Sequence, residues 1–104
     1  MNAPLKLLLL IFDERDRDTV EEVLTHEHVG GFTEIPGTLG EGAHGKRLGS
    51  ALYPGANVVL LTVVAEGQVI PLRDALLRVA GDGAPGRGER APIRVAVVPV
   101  EAFY

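Results

Sequence analysis

Three stretches of the chain are apolar without alternation, and two others place their apolar residues at helical spacing. Residues 5–12 form a continuous apolar run closed by the charged segment "DERDRD", which predicts a buried strand. Residues 57–65 and 93–100 repeat that pattern with valine prominent, predicting two more strands. Between the first two runs, Val20, Val23 and Leu24 make a helical stripe. Asp16 or Asp18 suits its N-cap, Glu21 follows Asp18 at capping-box distance, and Gly30-Gly31 supplies a stop. A short strand is expected at residues 32–35, followed by a glycine-rich loop over 36–55. Pro71 opens a second helix in which Leu72, Ala75, Leu76 and Val79 share a face, and Gly81 ends it. The order β-α-β-loop-β-α-β predicts a single α+β domain over residues 1–104, a ferredoxin-like βαββαβ sandwich.

The strands predict more than the fold. Two helices cover one face of a four-stranded sheet, so the other face should be polar if the chain stands alone. Here both faces are apolar. Leu5, Leu7, Leu9 and Ile11 oppose Leu8, Leu10 and Phe12; Val58, Leu60 and Val64 oppose Val59, Leu61 and Val63. Ile93, Val95 and Val97 likewise oppose Ala96, Val98 and Val100. An isolated subunit would expose more than the few hundred Å² usual for soluble monomers, so self-association through the sheets is expected.

Composition narrows the function. Among 104 residues 46% are hydrophobic, which excludes a disordered chain, and the net charge of −4 argues against nucleic-acid binding. With no cysteine, disulfides, thiolate zinc sites and thiol catalysis are excluded. The run "PLKLLLLIF" lacks a basic leader and is followed by charge where a signal peptide has a small-residue cleavage site. It is also too short to span a bilayer, so a cytoplasmic protein is expected.

The stretch "GEGAHGKRLGSALYPG", residues 40–55, nearly matches a phosphate-binding loop, reading G-x-x-x-x-G-K from Gly40 to Lys46. That loop works because a helix starts at its lysine and aims backbone N–H groups at the phosphates. Gly49, Pro54 and Gly55 forbid such a helix here, and Arg47 replaces the magnesium-binding hydroxyl. What remains is a loop rich in glycine amides with Lys46 and Arg47 at its centre and Glu41 as an internal partner. A loop of this length in so compact a domain is expected to be functional, and to order when it binds a ligand.

A βαββαβ chain with a long loop between its second and third strands resembles the PII-like signal-transduction proteins. After the second helix, "AGDGAPGRGERAPIRVAVVPVE" holds Gly81-Asp82-Gly83 and later Pro99-Val100-Glu101. These are similar to the Gly-Asp-Gly-Lys turn and the Pro-Val-Glu strand end of the nitrogen regulators. The resemblance implies a homotrimer with its sheets at the centre. It also implies a T-loop, here 36–55, that reaches partner proteins and helps close a ligand site. The lysine after Gly83 is absent, and an insertion over 84–91 carries Arg87 and Arg90 instead. Tyr53 is similar to the tyrosine that these regulators carry for nucleotidylation, although it stands close to the start of the third strand. The C-terminal loop that contributes to nucleotide binding in the nitrogen regulators is not expected here.

By this resemblance the ligand set is Gly37, Gly40, Gly42, Gly45, Lys46, Arg47, Gly81, Asp82, Gly83, Arg87 and Arg90. The ligand would be a small anion, an adenine nucleotide or a small carboxylate such as bicarbonate, and the partner a regulated transporter or enzyme. Arginine's planar fork suits phosphate and carboxylate oxygens. The alternative is a divalent-metal tolerance protein of the CutA kind, using His26, His28 and His44. Helix-end placement accounts for His26 and His28 without a metal, and His-x-His chelates only on an extended backbone. No enzyme is expected. Neither a nucleophile triad nor a paired-carboxylate pocket is evident, "DERDRD" is unlike an acylphosphatase loop, and Phe12 alone is aromatic on the long strands, too few for an RNA-binding sheet.

Overall fold

The computed structural model describes residues 4–42, 45–47, 56–80 and 93–104. The elements in chain order are β1 (Leu5–Asp13), α1 (Arg17–His26), β2 (Thr33–Thr38), β3 (Gly40–Gly42), β4 (Gly45–Arg47), β5 (Asn57–Ala65), α2 (Val69–Ala80) and β6 (Arg94–Val100). Among the described residues, four strands form an antiparallel sheet in the order β2-β5-β1-β6. Each βαβ unit therefore leaves one strand between the two it joins, as in the ferredoxin-like sandwich. β1 is central because it is apolar on both faces and has a partner at both edges.

The pleat sorts the two apolar sets. Leu8, Leu10 and Phe12 of β1 and Val58, Leu60 and Val64 of β5 are buried with Val20 and Leu24 of α1, Leu72 and Leu76 of α2, and Ile93. The alternate positions, Leu5, Leu7, Leu9 and Ile11 with Val59, Leu61 and Val63, occupy the opposite face, which no helix among the described residues covers. Val98 and Ile35 extend that face to both edges and are 43% and 48% exposed. Arg94 puts a charge on that face, level with Ile11 and Val59.

Three local expectations differ from the structure. The polypeptide leaves β1 through a 3-10 turn at Glu14–Asp16 in which the Asp13 carboxylate accepts from the Arg15 N–H at 2.9 Å. Asp16 then holds the cap position of α1, so Asp18 lies inside the first turn and does not begin a capping box with Glu21.

α1 stops before Gly30-Gly31. His28 adopts φ 60°, its N–H donates to the Thr25 carbonyl at 3.1 Å, and the Val29 N–H donates to the Leu24 carbonyl at 2.9 Å. That pair of bonds is a Schellman cap built on histidine instead of glycine. Val29 packs against the core, so the hydrophobic partner of the cap is present too.

β2 runs on through Pro36 to Thr38, past a register shift between Ile35 and Thr38, with Gly37 at φ 68°. An edge strand tolerates the proline because its missing donor can face solvent. α2 begins at Val69 after a 3-10 turn at Glu66–Gln68, and Gln68 Oε1 accepts from the Ala65 N–H at 2.9 Å. Pro71 therefore lies in the first turn of α2, as its missing donor requires.

Candidate functional site at the root of the long loop

The long segment after β2 is partly a β-ribbon. β3 and β4 pair with Gly40 opposite Arg47, Glu41 opposite Lys46 and Gly42 opposite Gly45. The pairing sets the backbone of both cationic positions in one short antiparallel unit and puts Glu41 and Lys46 across from each other. Gly40 lies close to the sheet: a Cβ there would stand 3.5 Å from Asn57 Nδ2, an ordinary van der Waals distance. Below it, the Thr38 hydroxyl donates to the Asn57 carbonyl at 2.8 Å. This bond fastens the end of β2, just before the ribbon, to the first residue of β5.

Asn57 pairs in register with Asp13. The Asp13 side chain is buried, and its Oδ1 also accepts from Arg15 Nε at 3.1 Å. The Glu14 N–H donates to the Ala56 carbonyl at 3.0 Å and closes this end of the sheet. Asp13, Thr38 and Asn57 are absent from the set predicted by sequence. The available signal was an aspartate closing an apolar strand just before a turn.

The second predicted loop re-enters the sheet near the same place. The chain leaves β2 at Thr38 and returns at Asn57; it leaves α2 at Ala80 and returns at Arg94. Asn57 stands across from Asp13 and Arg94 across from Ile11, so both returns lie at one end of β1. Gly37, Gly40, Gly42, Gly45, Lys46 and Arg47 are thereby placed along β2 and the ribbon. Gly81, Asp82, Gly83, Arg87 and Arg90, with His44 and Tyr53, lie outside the described residues.

His26 and His28 do not meet the geometry that chelation by His-x-His needs. His26 is in the last turn of α1, Glu27 has φ −86° and ψ 11°, and His28 is left-handed, so the backbone across them is not extended. Among the described residues no three His, Asp or Glu side chains are grouped to hold a metal ion. His26 instead lines an open groove along α1 with Asp18, Glu21, Glu22 and Thr25. Nor is any helix among the described residues long and apolar enough to cross a membrane.

No known family profile matches the sequence, and no curated protein sequence matches it. Solved structures do. The CPII protein of Thiomonas intermedia, solved with ADP and bicarbonate, superposes with a TM-score of 0.70 at 22% identity, covering 93% of this chain and 88% of that one. A DUF3240 family protein from Shewanella baltica gives 0.72 at 20% identity, covering 100% and 97%. Arabidopsis thaliana PII, solved with citrate, gives 0.67 at 19% identity, covering 95% and 79%. The chain has the PII-like fold. The ribbon β3–β4 lies in the connection between the second and third strands of the main sheet in chain order.

Proposed function

We propose that this chain is a divergent PII-like regulatory protein, a cytoplasmic homotrimer that binds a small anion and signals through the segment 36–55. The observation that carries the proposal is the shared root. Thr38, Asn57 and Arg94, where the glycine- and arginine-bearing segments join the sheet, lie at the Asp13 end of β1. The cations of those segments, Lys46, Arg47, Arg87 and Arg90, then supply charge, and the glycine backbone supplies N–H donors. The uncovered face of β1, β5 and β6 supplies the trimer contact, which brings one subunit's ribbon to its neighbour. ADP and bicarbonate in CPII, and citrate in the plant protein, support a nucleotide or a small carboxylate as ligand. The role is regulatory and not catalytic, and the long loop is the surface offered to a regulated protein.

Calorimetric titration with ADP, AMP, bicarbonate and citrate tests this reading. Binding of at least one is expected, weakened roughly 10- to 100-fold by the Lys46→Ala, Arg47→Ala double change, as the loss of charge-assisted bonds implies. No heat with any of the four, or affinity untouched by the double change, overturns it.

A further inference from the structure

β2 is an edge strand with few anchors. It pairs with β5 over Thr33, Glu34 and Ile35, then again at Thr38 after the shift. Thr33 and Ile35 are exposed, so Glu34 is the side chain of this paired segment that turns beneath α1. There its carboxylate is 8% exposed, and its Oε2 accepts from Arg17 Nε at 2.7 Å. The same Nε reaches Glu21 Oε2 at 3.3 Å. One guanidinium thus serves two carboxylates, one on the helix and one on the strand. Arg17 and Glu21 are the charged groups of α1 that meet Glu34; from β5 the position across is Leu60, which brings none.

We propose that Glu34, Arg17 and Glu21 form a proton-responsive clamp that sets how firmly β2, and with it the root of the long loop, is held against α1. With both carboxylates ionised the cluster carries two negative charges against one positive; Glu34 is shielded from water, while Arg17 and Glu21 lie at the rim, 47% and 34% exposed. Binding one proton removes the like-charge repulsion and lets one carboxyl donate to the other while Arg17 still bridges helix and strand. Burial first, and the Glu21 carboxylate second, hold the Glu34 carboxyl above its ordinary value of 4.5, against the opposing pull of Arg17. The tightened state is therefore favoured at acid pH and weakens as the pH rises above that value. Two residues beyond Glu34 the chain enters Pro36 and Gly37, so loosening at Glu34 is felt where the ribbon is launched. The effect on ligand binding rests on the proposed function; the clamp itself does not, and it can be read without ligand.

Amide hydrogen exchange of the full chain, corrected for intrinsic rates, tests the clamp across a pH series starting near 4.5. The readout is the protection of residues 33–38 relative to β1 in the same sample. In the wild type this ratio should fall several-fold as pH rises, whereas Glu34→Gln should keep it high and flat. Glu21→Gln, which removes the second carboxylate and keeps Glu34, should shrink the dependence. A flat ratio in the wild type overturns the clamp, as does an unchanged dependence in either variant. Because no anion is present, this result stands apart from the calorimetric one.

Discussion

The Thr62 hydroxyl donates to the Gly31 carbonyl at 2.6 Å, tying the middle of β5 to the segment that leads into β2. Thr62 is 4% exposed and stands among the buried valines and leucines of that strand, so its hydroxyl is a polar group placed in a core for one bond. Replacing it with valine keeps the shape and removes the donor. Thr62→Val should lower unfolding free energy by about 1 kcal/mol, since the Gly31 carbonyl can regain water at the surface. Urea denaturation, read as a lower midpoint with an unchanged slope, checks it.

The cap at His28 predicts a gain. A left-handed residue with a side chain costs about 1 kcal/mol that glycine avoids. His28→Gly should therefore raise stability by about 0.5–1 kcal/mol, offset in part by the entropy of the freer unfolded chain. His28→Val should lower it by more. Thermal denaturation of the pair gives the sign.

Neighbouring residues on β5 separate folding from assembly. Leu60 is fully buried beneath the helices, while Leu61 lies on the uncovered face. Leu60→Glu should abolish soluble folded protein, because an unpaired buried carboxylate costs several kcal/mol. Leu61→Glu should fold and sediment near the 11.0 kDa chain mass, whereas the wild type, by the proposed function, should sediment at about three times that mass. A wild-type monomer would remove the trimer from the proposed function.

Glu34 also predicts the direction in which overall stability depends on pH. Its carboxyl titrates above 4.5 in the folded chain, chiefly through burial. The native state then holds the proton more tightly than the unfolded state does. This group's contribution is fully present below 4.5 and is lost as pH rises through the folded value. The Glu34→Gln variant should lack that decline, which denaturation midpoints at stepped pH will show.

The parts legible in sequence are those where burial dictates residue type. Unbroken Leu and Val runs announce β1 and β5, and the spacing of Leu72 and Leu76 announces α2. The ribbon was hidden because Gly40–Gly42 and Gly45–Arg47 carry no alternation of apolar residues to read. His28 was hidden because left-handed caps are ordinarily glycine, and two glycines stand just beyond it. Of the site, the cationic and glycine positions on the loop were visible by composition. Asp13, Thr38 and Asn57 were not, because their partners are far along the chain and only folding brings them together.

The central place of β1 bears on how the protein is made. Its partners are residues 57–65 on one side and 94–100 on the other, so neither exists when "LKLLLLIF" leaves the ribosome. At about 5–20 residues per second the most apolar segment waits seconds for its first neighbour and longer for its second. Throughout that interval it is a target for chaperones and a template for mispairing with other nascent chains. The arrangement that gives the finished sheet its two apolar faces thus makes the newborn chain dependent on being shielded until β6 has been synthesised.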